Sequence, residues 1–193
     1  MLEHQDLALT AYEDGLLFFQ RGASDGYLST AEVLDTTPEP QVHLGYNLGG
    51  RLRLLGYDPP PGPLRAGERC RVTYYWQVLD GFDDSFPIQW GVNPESIEMH
   101  QTDYVLADRF VGPAGEFSVL HLPMYIQLPP ARWQPGQVIR ETYDFRLPAD
   151  AQGEYVGSIG LYTVPRFLGI RLRADRLLPR SEPVALPALT VQP

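Results

Sequence analysis

The sequence contains no lysine: all 15 of its basic side chains are arginines. That absence removes Schiff-base chemistry, a P-loop phosphate lysine and a lysine general base. Cysteine is almost as scarce. Cys70 stands alone, so no disulfide can close within the sequence, and cysteine usage is silent on redox compartment. No run approaches the roughly 18 consecutive apolar residues of a membrane-spanning helix. Met1 to Leu9 carries Glu3 and Asp6 where a signal peptide would be basic. No membrane-spanning segment is therefore expected. Positive charge is also short overall: 15 Arg against 24 Asp and Glu gives a net charge of -9, which repels phosphate backbones and argues against a nucleic-acid partner.

Turn formers, by contrast, are abundant. The 18 glycines and 19 prolines make 37 of 193 residues, well above the roughly 12% of average usage, and they leave long helices almost nowhere to sit. Between them the residues alternate with period two. Cys70 to Val78 places Cys, Val, Tyr, Trp and Val on one face and Arg, Thr, Tyr and Gln on the other. Ile139 to Leu147 repeats the pattern, broken only by Glu141. Tyr104 to Val111 and Tyr155 to Tyr162 read as further strands, and Phe117 to Leu128 as an extended pair interrupted at Pro123. Two strands begin alike: Gly67, Arg71, Thr73, Tyr74 and Trp76 recur in register as Gly136, Arg140, Thr142, Tyr143 and Phe145. One turn-and-strand device used twice explains the echo.

The expected fold is an all-β, two-sheet, mostly antiparallel β-sandwich, immunoglobulin-like or jelly-roll, with at most one or two short helices. Helical candidates are Asn93 to Ser96 and the capping-box pattern Ser29-Thr30-Ala31-Glu32. Residues 1–193 read as one domain: an N-terminal hairpin extension over 1–45, a main sandwich over 46–165 and arginine-rich C-terminal strands over 166–193.

Candidate chemistry is sparse. Gly22-Ala23-Ser24-Asp25-Gly26 fits the nucleophile-elbow pattern, but no α/β alternation supplies its sheet and helix. His4, His43, His100 and His121 show no metal-ligand spacing, and His121, among apolar neighbours, reads as a hydrogen-bonded structural histidine. Cys70, on an apolar face, reads as a small core residue. Asp80, Asp83 and Asp84 gather in one loop; hard cations take about 6 to 8 oxygens, so these are the calcium candidates, against the plainer reading of a solvated acidic turn. No other cofactor is expected. The aromatics Tyr75, Trp90, Tyr125 and Trp133 are candidates for a platform on which sugar rings stack, with sandwich core as the competing reading. Residues 165–193 carry five arginines against Asp175 and Glu182, a local +3 that leaves -12 for the rest. Arg166, Arg171, Arg173 and Arg176 are thus candidate interface residues, for another protein or for a second copy of the chain.

The succession Leu54-Leu55-Gly56-Tyr57-Asp58, Leu64-Arg65-Ala66-Gly67-Glu68, Val72 to Gln77, Trp133 to Val138, Leu147 to Asp150, Gly153-Glu154-Tyr155 and Gly160-Leu161-Tyr162 resembles a known domain family. It is the β-sandwich domain appended to bacterial dolichyl-phosphate-mannose-type membrane glycosyltransferases and other exported proteins. The likeness covers roughly residues 48 to 163 and rests on turn and core positions; the stretch from Phe82 to Pro130 departs from it. The resemblance implies an extracytoplasmic or cell-envelope accessory unit. Function is accordingly expected to be a non-catalytic accessory or binding module, with a glycan or a protein neighbour as partner. A structural or interaction subunit of a cell-envelope or extracellular assembly is the alternative, and a small β-sandwich glycan-active enzyme comes third.

Overall fold

A computed structural model describes residues 7–13, 16–21, 29–82, 86–89, 98–101, 104–121, 128, 132–163 and 178–192. In chain order the strands are β1 (Leu7–Glu13), β2 (Leu16–Arg21), β3 (Ser29–Leu34), β4 (Val42–Leu48) and β5 (Leu52–Asp58). Then follow β6 (Leu64–Arg65), β7 (Arg69–Val78), β8 (Phe86–Gln89), β9 (Glu98–Gln101) and β10 (Tyr104–Gly112). The last are β11 (Gly115–Leu120), β12 (Val138–Arg146), β13 (Gly153–Thr163), β14 (Leu178–Pro179) and β15 (Val184–Gln192).

The protein is an all-β sandwich of two mostly antiparallel sheets. One sheet has the order β3-β12-β7-β5-β4; the other runs β11-β10-β13-β15-β6, with β14 added beside β13. Among the described residues the single parallel contact is the two-residue pairing of β15 with β6. Strands β1 and β2 form an antiparallel hairpin, as do β8 and β9. Among the described residues, no helix is long and apolar enough to cross a membrane.

Period-two alternation becomes burial directly. Along β7 the side chains of Cys70, Val72, Tyr74, Trp76 and Val78 are buried while Arg69 and Arg71 are exposed. Ile139, Tyr143 and Phe145 of β12 enter the same core, where the inner face of the second sheet meets them through Leu106, Phe110, Tyr155, Ile159 and Leu161. In β5, Leu54 pairs with Trp76 and Gly56 with Tyr75, so Leu55 is an extra residue bulged out of the ladder. The bulge resets the phase and turns Tyr57 inward beside Tyr74, ring centroids 4.9 Å apart. Another bulge, in β15, holds Pro187, whose missing N–H is harmless there.

The capping-box reading of Ser29 to Glu32 is overturned: these residues open β3, an edge strand in register with β12. Thr30 lies opposite Thr142 and Glu32 opposite Arg140, with which it forms an ion pair. Ala31 meanwhile packs on the core. A ladder and a buried contact outweigh one local capping hydrogen bond. The Asn93 to Ser96 helix and the Gly22 to Gly26 motif lie outside the described residues.

Candidate functional site

The inward faces of β7 and β12 carry polar groups as well as core, and these converge with two residues of the opposite sheet. Asp108 projects from β10, between Leu106 and Phe110. His121 follows β11 and is anchored by its N–H to the Leu106 carbonyl at 3.0 Å. Glu141 sits in the inward phase of β12, between Ile139 and Tyr143. Asp108 and His121 are 0% exposed and Glu141 is 2% exposed. The His121 ring bridges the two acids. Its Nδ1 lies 3.1 and 3.0 Å from the Glu141 carboxylate oxygens, and its Nε2 lies 3.1 Å from Asp108 Oδ1.

Neutral donors fill the remaining positions. The Trp76 indole N–H donates to Glu141 Oε2 at 3.0 Å. The Tyr74 hydroxyl donates to Asp108 Oδ2 at 2.9 Å, and the Tyr143 hydroxyl donates to the same oxygen at 2.5 Å. The aromatic rings wall the bridge: Tyr143 lies 4.6 Å and Tyr74 5.3 Å from the imidazole, centroid to centroid. Burial pulls the His121 pKa down, but the charges of Glu141 and Asp108 and their hydrogen bonds outweigh it and push it up to about 10. Burial, reinforced by the Asp108 charge, raises the Tyr74 and Tyr143 hydroxyls well above the usual phenol range. Tyr57, 0% exposed, is raised for the same two reasons, and its hydroxyl has no hydrogen-bond partner among the described residues.

This arrangement encloses three titratable side chains between two sheets and does not present them to solvent. Nor do its acids converge on a point, because they occupy opposite nitrogens of one ring. Among the described residues, no group of three or more His, Cys, Asp or Glu side chains could hold a metal ion.

The platform candidates separate. Tyr75 is half-buried on the outer face of the five-stranded sheet, its hydroxyl donating to Asp58 Oδ2 at 2.8 Å. Trp133 does not join it: this platform candidate is 3% exposed. Its ring stands edge-on to Phe82, and its indole N–H donates to the Leu128 carbonyl at 3.0 Å. The turn around Pro135 and Gly136 folds the indole into the core, so Trp133 is packing, not platform. Trp90 and Tyr125 lie outside the described residues. Of the calcium candidates, Asp80 is exposed and its Oδ1 accepts the Gly81 N–H at 2.9 Å; Asp83 and Asp84 lie outside the described residues. So do Arg166, Arg171, Arg173 and Arg176.

Sequence reasoning recognised His121 as structural and Glu141 as an exception, but it did not join them to Asp108. The usable signal was one titratable residue in the inward phase of each of two strands. A buried carboxylate needs a partner, and His121 was the histidine set among apolar residues.

The fold and the bridge define a two-sheet β-sandwich with a polar, charged centre. No protein-family model matches the chain, and no curated protein matches it.

Proposed function

We propose that this protein is a non-catalytic binding or accessory module, with a glycan as ligand and the outer face of the five-stranded sheet, around Tyr75, as the binding surface. The observation that carries the reading is the separation of its chemistry. Asp108, His121 and Glu141, which share one chain of hydrogen bonds, are sealed between the sheets. The outer face instead offers a half-buried aromatic among charges already paired with one another. Arg71 holds Asp144 through two hydrogen bonds of 2.8 and 3.2 Å, Arg140 pairs with Glu32, and the Thr73 and Thr142 hydroxyls lie 2.9 Å apart. A charge-balanced array of hydroxyl, carboxylate and guanidinium groups around one ring suits an uncharged, hydroxyl-rich ligand better than an anionic one. The resemblance to accessory domains of exported proteins agrees with such a role outside the cytoplasm.

Calorimetry against soluble polysaccharides tests it. Weak binding is expected, with Kd in the micromolar to millimolar range, about 4 to 8 kcal/mol. It should be lost in Tyr75→Ala and retained in Tyr75→Phe, which keeps the ring. A flat response from folded protein across the panel removes the glycan.

A second reading, a structural or interaction subunit, is favoured by one feature of the other sheet. Val111 and Val156 face each other across β10 and β13 on its outer side, 47% and 62% exposed. An adjacent pair of exposed valines is a candidate protein contact. Sedimentation of wild type and Val156→Glu over a concentration series tests whether a second copy occupies it.

A further inference from the structure

The contacts of His121 impose a count of hydrogens. Each ring nitrogen lies within 3.1 Å of carboxylate oxygen, Nδ1 facing Glu141 and Nε2 facing Asp108. An oxygen lone pair facing a nitrogen lone pair is repulsive, so each gap needs a hydrogen, and a neutral imidazole carries only one. The Trp76 N–H serves Glu141 and the Tyr74 hydroxyl serves Asp108. The Tyr143 hydroxyl has one hydrogen, with Asp108 Oδ2 at 2.5 Å and His121 Nε2 at 2.9 Å; given to Nε2, it would still leave no hydrogen between Nε2 and Asp108 Oδ1. The titratable groups facing the ring are Asp108 of β10, Tyr74 of β7, and Glu141 and Tyr143 of β12, with Tyr57 of β5 against Tyr74. None of them is a cation. We propose that His121 is held as a buried imidazolium through neutral pH, and that its captured proton is the clasp joining the two sheets, set when the sandwich folds and released in alkali.

The bridge is placed to act this way because its two ends belong to different sheets: Asp108 lies on the six-stranded sheet and Glu141 on the five-stranded one. With the proton present, both contacts are charge-assisted. Once it leaves, two buried carboxylates share one hydrogen, and the gap left without it drives the sheets apart. The elevated affinity of His121 for its proton fits this geometry. Its sign is definite. The unfolded chain gives up that proton near pH 6.5 while the folded chain keeps it to about 10. The stabilisation is therefore full below about pH 6.5 and drains away as pH rises toward about 10. The cleanest window is about pH 6.5 to 8.5, below the range in which tyrosine of the unfolded chain ionises and where its one cysteine only begins to.

Two measurements test the clasp. Nitrogen-15 NMR of the His121 ring in the intact native protein at pH 7.5 should show both nitrogens protonated; one protonated and one bare nitrogen overturns the proposal. In urea unfolding between pH 6.5 and 8.5, the folding equilibrium constant should fall about tenfold per pH unit. Glu141→Gln keeps an acceptor for Nδ1 but removes a charge, so its slope over the same window should be shallower, the other titrating groups being common to both proteins. Equal slopes overturn the proposal. If Glu141→Gln does not fold, the wild-type ring spectrum decides alone.

Discussion

Thr73 and Thr142 lie directly opposite each other in the β7–β12 ladder, their hydroxyls 2.9 Å apart, and they mark the centre of a local two-fold axis. Around them backbone hydrogen bonds come in matched sets. Leu147 N–H donates to the Glu68 carbonyl at 2.9 Å, and Val78 N–H to the Gln137 carbonyl at 2.9 Å. Glu68 N–H donates to Arg65, and Gln137 N–H to Gln134, both at 3.1 Å. Every partner lies 69 positions from its counterpart, as Glu68 does from Gln137 and Val78 from Leu147. Gly67 and Gly136 close the two turns with φ of +70° and +89°, which an L side chain would strain. The sequence echo is thus one turn-and-strand unit docked antiparallel onto its own copy.

The threonine pair should behave as a unit. Thr73→Val and Thr142→Val each strand one hydroxyl, at about 0.5 to 1.5 kcal/mol. The double variant replaces both partners with a residue suited to strands and should recover part of the summed loss. Urea unfolding of the four proteins checks it; strictly additive losses would count against the pairing.

Trp76 both packs and donates, and two substitutions divide those roles. Trp76→Ala empties a core position at 0% exposure and should cost about 3 to 5 kcal/mol. Trp76→Phe keeps most of the packing but takes a donor from Glu141, and should cost about 1 to 3 kcal/mol. Chemical denaturation read by circular dichroism measures both, and a Phe variant as stable as wild type would show that Glu141 does not need the indole.

Much of this interior was legible because half-buried strands write their burial into every second residue. Cys70 through Val78 and Ile139 through Phe145 follow that rule, and the one break, Glu141, is one end of the bridge. A polar residue in an inward phase announces a partner without naming it. Asp108 and His121 reach Glu141 through the stacking of two sheets, which no local pattern encodes. The same limit explains Ser29 to Glu32, whose cap-like spacing yields to pairing with β12, and Trp133, whose Pro- and Gly-rich surroundings read as surface while its ring packs on Phe82. Bulges such as Leu55 are set by the neighbouring strand and leave no mark on composition.

Gly56 records a close approach on the outer face. A Cβ there would lie 2.1 Å from Pro40 Cγ and 2.4 Å from its Cβ, so the proline ring occupies the space a side chain would take, beside Tyr75 in the ladder. Gly56→Ala should destabilise the fold by about 1 to 3 kcal/mol through this overlap. Adding Pro40→Gly should restore part of the loss, as thermal melts of the single and double variants would show. A double variant less stable than the sum of its parts would place the clash elsewhere.

Cys70 offers a probe of opening that leaves the sequence untouched. Its thiol is buried, and burial foremost, with the charges of Glu68 and Asp144 behind it, pushes its pKa up to about 11. The thiolate is the reactive species, so at pH 8 to 9 the native thiol is both shielded and protonated, while an unfolded chain reacts freely. Alkylation by iodoacetamide should therefore proceed only through opening, at a rate that rises with urea in step with unfolding. The sign of the pH effect follows. Above about 9 the unfolded thiol ionises and the folded one does not, so Cys70 favours unfolding from about 9 up to about 11. Native protein at pH 8 labelled as fast as urea-unfolded protein would mean that the β7 core face is open to solvent.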